Sequence, residues 1–187
     1  AAILVLAVAY IFFRPIPYTN YPPHEGPVIA FGASLVQGVG STEGNGFVSV
    51  LSKKIAEPIE NFGVSGDTTQ MGLLRADAAV ARHARIVLLL LGGNDYLQRI
   101  PKEETFSNLR SIIGKFQADG TVVVLLGVRG GVLADNFVDS FKQLAADTHS
   151  VYVSNVLEGL FGDRRYMSDA VHPNDDVNMS QSSNDTF

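Results

Sequence analysis

Cysteine and tryptophan are both absent from the 187 residues. Without cysteine there is no disulfide framework, no zinc–cysteine site and no thiol nucleophile, and the redox compartment is left open. Positive charge is scarce: 14 Lys and Arg stand against 19 Asp and Glu, for a formal net charge of −5. No basic run exceeds two residues. A nucleic-acid footprint needs a basic stripe, so no nucleic-acid partner is expected. The four histidines never fall three to five residues apart, so no metal site is expected. Long apolar runs are lacking too. The longest, residues 1–13 (AAILVLAVAYIFF), would make about 20 Å of helix, against roughly 30 Å of bilayer core.

What is present suffices for one core, since 46% of the residues are apolar. Residues 1–13 read as part of a hydrophobic signal-anchor or signal segment. A membrane-anchored or exported protein, on the periplasmic or extracellular side, is therefore expected, with the membrane a partner through this segment. Residues 14–27 (RPIPYTNYPPHEGP) hold five of the eight prolines. Proline fixes φ and removes a donor, so this stretch reads as an extended linker outside the fold. The domain then runs over 28–174. Residues 175–187 are polar, carry no apolar stripe and read as a disordered tail. A closing helix over the last face of the sheet is not visible.

Within the domain, apolar runs alternate with helix-period stretches. Strands are expected at Val28–Phe31, Pro58–Phe62, Arg85–Leu91, Thr121–Leu126 and Ser150–Val153. Helices are expected at Gly46–Ala56, Thr69–Arg82, Glu103–Ala118 and Asp135–Asp147. The third and fourth strands are continuously apolar, as in a sheet buried on both faces. The order βαβαβαβαβ predicts an α/β fold with a parallel sheet between two helical layers.

Ligands of such sheets bind beyond the carboxyl ends of the strands. The segments found there are Gly32-Ala33-Ser34-Leu35, Asn61-Phe62-Gly63-Val64-Ser65-Gly66-Asp67, Gly92-Gly93-Asn94-Asp95, Gly127–Gly131 and, after a further loop, Ser168–Asn174. Singly these are weak. A serine after a strand is commonly a helix N-cap, and Asn-Asp is commonly a turn. Together they supply a hydroxyl nucleophile (Ser34), an imidazole base (His172) and a carboxylate three residues before it (Asp169). They also supply amide donors at Ser34, Gly66 and Asn94. Serine acyl transfer needs each of these roles.

The four blocks IAFGASLVQGVGS, NFGVSGDTT, LLGGND and SDAVHPN resemble those of the SGNH hydrolases, the GDSL esterases and lipases. The resemblance runs from Pro27 to Asn174. It implies a flavodoxin-like three-layer α/β/α sandwich with a five-stranded parallel sheet. It also implies a cofactor-free serine ester hydrolase of the esterase, lysophospholipase or thioesterase type, with a small-molecule or lipid ester substrate. By the resemblance Ser34 is the nucleophile, His172 the general base and Asp169 its partner, while Ser34, Gly66 and Asn94 form the oxyanion hole. The family's Gly-Asp-Ser-Leu reads Gly-Ala-Ser-Leu here, so Ala33 removes a carboxylate that could brace the turn. The loop Gly127–Asn136, with Val132 and Leu133, is expected to flank an acyl pocket.

Other readings are weaker. No G-x-x-x-x-G-K-[ST] or G-x-G-x-x-G is present, and no acid ends the second strand, which counts against nucleotide binding. A receiver-like domain needs an acid pair at the first strand end, and Phe31-Gly32-Ala33 has none. A catalytically weak or inactive membrane-tethered binding module on the same fold is the alternative. His24 falls in the linker, His83 at a helix end and His149 between elements. Asp67 and Asp95 have no expected role beyond hydrogen bonding.

Overall fold

The computed structural model describes residues 18–127, 137–154, 156–157, 160 and 163–177. Five strands, β1 (Val28–Gly32), β2 (Ile59–Gly63), β3 (Ile86–Leu90), β4 (Val122–Leu126) and β5 (Val151–Val153), form one sheet. Every pairing is parallel. The spatial order is β2-β1-β3-β4-β5, the flavodoxin-like order, with its switch point between β1 and β3. The expected fold class is what is observed. Among the described residues, six helices connect the strands: α1 (Ser34–Gln37), α2 (Phe47–Ile55), α3 (Thr69–Val80), α4 (Gly93–Leu97), α5 (Lys102–Ala118) and α6 (Phe137–Asp147). The one-turn helices α1 and α4 lie below the length at which hydrophobic periodicity can be read.

Alternation along the strands sorts the core into two faces. Ile29, Phe31, Val87, Leu89, Val123 and Leu125 pack with α3, α5 and α6 into the larger cluster. Within it Phe31 meets Phe116 edge to face, ring centroids 5.7 Å apart. Ala30, Leu90 and Leu126 join Val36 of α1 and Val48 of α2 in a smaller cluster on the other face.

The smaller face departs from expectation. Leu88 and Val124 are only half-buried, although their strands read as buried on both faces. They line an apolar hollow of about 350 Å³ with Leu35, Phe47, Leu126 and Val153. The helices α1 and α2, packed on this face, lie over β1 and β2, and toward β4 and β5 the hollow is lined by Val156, Leu157, Leu160 and Val177.

The linker expectation also needs correction. Thr19 N donates to His149 O at 2.9 Å. The Asn20 amide donates to Gln117 O at 2.8 Å and Thr121 O at 3.1 Å, which satisfies carbonyls at the end of α5. Chain outside the expected domain boundary is thus bonded to its floor. Residues 1–17 and 178–187 lie outside the described residues, as does the loop 128–136 expected beside an acyl pocket. Among the described residues, no helix is long and apolar enough to cross a membrane.

The two faces make a testable contrast at adjacent valines. Val123→Ala removes fully packed methyls and should cost about 2–3 kcal/mol, while Val124→Ala beside the hollow should cost about half as much. Urea denaturation of both variants measures the difference.

Candidate active site

The parallel register sets the level at which the site is built. Gly32 stands beside Gly63 of β2 and Leu90 of β3, so the segments after these strands emerge side by side. Ser34 opens α1, and Ala33 holds the N-cap position without a side-chain bond. The serine therefore does not fill the N-cap. Its carbonyl accepts from Gly38 N at 2.9 Å and Val39 N at 3.0 Å, which ends the helix after one turn. Gly38 adopts φ +97° there, a left-handed conformation that favours glycine.

Polar bonds fasten α1 to the segment after β2. The Asn61 amide donates to Val36 O at 2.6 Å, and Ser65 N donates to Gln37 Oε1 at 2.7 Å. Gly66 follows in an exposed turn at φ +86°, closed by Asp67 N on Val64 O at 3.2 Å. Asn94, in α4, reaches the same turn: its Nδ2 donates to Asp67 O at 2.8 Å. One of its two N–H bonds is thereby used and the other remains.

Asp95 explains why Asn94 stands there. Its side chain is fully buried. One carboxylate oxygen accepts from Thr69 N at 2.9 Å. The other accepts from the hydroxyls of Thr69 at 2.5 Å and Thr105 at 3.3 Å. A buried carboxylate is costly unless its lone pairs are filled, and here they fasten α4 to the start of α3.

The His segment braces itself. Asp169 Oδ2 lies 2.7 Å from His172 Nδ1. Asp169 Oδ1 accepts from Val171 N and His172 N, both at 2.8 Å. The bond from Val171 N, followed by the His172 ring, holds the Asp169 carboxyl down to about 2. Among the described residues, the Asp169 carboxylate is the side-chain partner of the His172 ring, and Ser34 Oγ makes no hydrogen bond to it. No group of three or more His, Asp or Glu side chains among the described residues is placed to hold a metal ion.

Two contacts set the His segment against the loop that follows Ser34. Gly40, at φ +94°, lies so close that a Cβ there would sit 2.8 Å from His172 Cβ and 2.6 Å from Pro173 O. Beside it, Asp175 accepts from Thr42 N at 2.9 Å and Thr42 Oγ1 at 2.7 Å. Asp175 falls in the stretch that the sequence assigns to a tail, and the structure makes it a clamp. Thr42 lies 133 residues away, so no local pattern marks this pair. Arg75, paired with Asp67, was likewise not singled out, and only its i+8 relation to an acid hinted at it.

The clamp gives a pH dependence with a definite sign. The Thr42 hydroxyl, then its backbone N–H, lower the Asp175 carboxyl from its ordinary value of 3.8. A depressed carboxyl stabilises the fold above that ordinary value, and the contribution is lost as pH falls through the folded one. Asp175→Asn should melt below the parent at about pH 6, and the gap should close by about pH 2. Thermal unfolding followed by circular dichroism across that range measures it.

Comparison with known proteins places the chain in a family. Residues 30–178 match the family model for the GDSL-like lipase/acylhydrolase family. Esterase TesA of Pseudomonas aeruginosa is 30% identical over 158 residues, 78% of this chain and 79% of that protein. The thioesterase 1/protease 1/lysophospholipase L1 of Escherichia coli K12 is 30% identical over 126 residues, which is 64% of this chain and 61% of that protein. The crystal structure of AlinE4, an SGNH-hydrolase family esterase, superposes with a TM-score of 0.69 at 29% identity, covering 86% of this chain and 95% of that one. The chain belongs to the GDSL-like lipase/acylhydrolase family, and it is a serine ester hydrolase of the SGNH type.

Proposed function

We propose that Ser34, His172 and Asp169 hydrolyse acyl esters through a covalent acyl-enzyme. Ser34 Oγ attacks the acyl carbonyl carbon, and its proton passes to His172 Nε2. The carbonyl electron pair moves onto oxygen. The backbone N–H groups of Ser34 and Gly66 and the remaining Nδ2–H of Asn94 receive that oxyanion. Collapse expels the alcohol or thiol, which takes the proton from His172. Water then attacks the acyl-enzyme by the same route and frees the acid and Ser34.

The observation that carries this reading is the Asp169–His172 pair. A carboxylate held down to about 2 is ionised wherever the enzyme works and can only accept. Nδ1 then carries the proton of the 2.7 Å bond, so that in the neutral ring Nε2 is the nitrogen able to accept the serine proton. The proposed substrates are carboxylic esters, thioesters and lysophospholipids, a range spanned by the names of the relatives. The apolar residues 1–13 and the proline-rich stretch after them support an exported, membrane-held location. Recovery of the whole chain in the soluble fraction would count against that location.

Hydrolysis of a short-chain p-nitrophenyl ester tests the chemistry. Ser34→Ala should lower kcat by at least roughly 10⁴-fold, and Asn94→Ala by roughly 10²–10³-fold. Circular dichroism must show each variant folded. Turnover unaffected by Ser34→Ala would refute the mechanism. A folded parent without turnover on esters and thioesters would favour the binding-module alternative.

A further inference from the structure

We propose that Arg75 is a positioning residue that holds the oxyanion-hole turn against the nucleophile strand. This rests on the reading of Gly66 and Asn94 as oxyanion donors. Arg75 projects from α3 and meets three acceptors at once. Its Nη2 donates to Gly32 O at 2.8 Å, two residues before Ser34. Its Nη1 donates to Phe62 O at 3.0 Å, at the end of β2. Its Nε donates to Asp67 Oδ2 at 2.5 Å. The guanidinium also lies over the Phe31 ring, 4.2 Å from its centroid.

These contacts enclose the segment that matters. Val64 N donates to the same Gly32 carbonyl at 3.0 Å, and Asp67 N returns to Val64 O. Gly66 therefore sits in an arch with both feet on Arg75: the strand ends on one side and Asp67 on the other. Asn94 takes its position from the carbonyl of Asp67, so both proposed donors are referenced to one side chain. A planar fork with five donors matches three acceptors in fixed directions, and an ammonium does not.

Charge adds a second effect. Asp67 is 6% exposed, and Arg75 is its cation. Without Arg75, an uncompensated carboxylate would stand beside the place where negative charge develops. That charge would oppose the oxyanion as well as loosen the arch.

The test combines Arg75→Met, Arg75→Lys, Asp67→Asn and Asn94→Ala in the full chain, read as kcat and KM on a p-nitrophenyl ester, with melting temperature alongside. Covalent titration with a serine-directed phosphonate counts competent sites. Arg75→Met should lower kcat per folded molecule roughly tenfold to a hundredfold, the scale of a small misplacement of catalytic groups, with KM within about twofold. In the Asn94→Ala background the same substitution should cost less than it does in the parent, because one of the two donors it positions is already gone and only the Gly66 N–H is left to misplace. Adding Asp67→Asn to Arg75→Met should return part of kcat. Arg75→Lys should restore melting temperature more than kcat, and it carries the test if the Met variant does not fold. Full kcat in the folded Arg75 variants, or an undiminished loss in the Asn94→Ala background, would make Arg75 a stabilising residue only and overturn the proposal. Full kcat in Asn94→Ala itself would overturn the oxyanion reading, and this inference with it.

Discussion

One constraint underlies the whole site: Gly32, Gly63 and Leu90 stand in register on three adjacent parallel strands. A shift of one residue in either pairing would send alternate side chains to the wrong face and separate the segments that follow. The two faces hold the register in place, because Phe31 and Leu89 belong to one cluster and Ala30 and Leu90 to the other. Everything chemical is hung from that level. The switch point of the sheet lies between β1 and β3, so the segments bearing Ser34 and Asn94 leave on either side of the crevice.

Carboxylates do most of the fastening. Asp95 joins α4 to α3, Asp67 meets Arg75, Asp175 meets Thr42 and Asp169 meets His172. Each accepts from N–H or O–H donors in a different part of the chain or in its own turn. An ionised carboxylate accepts in several directions at once, which suits it to joining loops that share no regular secondary structure.

Much of this was legible in the sequence, for reasons that differ by element. The strands β3 and β4 show as unbroken apolar runs, and α5 shows as a stripe through Phe106, Leu109, Ile113 and Phe116. The blocks around Ser34, Gly66, Asn94 and His172 are local and carry their residue types openly. What escaped depends on distance along the chain. The Thr42–Asp175 clamp and the reach of Arg75 to Gly32, 43 residues away, leave no periodic trace. Asn20 was hidden by its setting, since proline-rich neighbours suggest a free linker while its amide finds two carbonyls at the end of α5 and beyond. The half-covered Leu88 and Val124 were misjudged because apolar composition reports what a strand could bury, whereas coverage depends on which helices lie above it.

The His segment invites a comparison with the sheet it adjoins. Asp169 and His172 orient each other through bonds made inside four residues, while contacts at Gly40 and the Thr42–Asp175 pair are among those that, within the described residues, seat them on the body. Local opening draws on the least-secured parts of a structure first. The bonds that orient the proposed base are therefore internal to its own segment and separate from the contacts that seat that segment on the body.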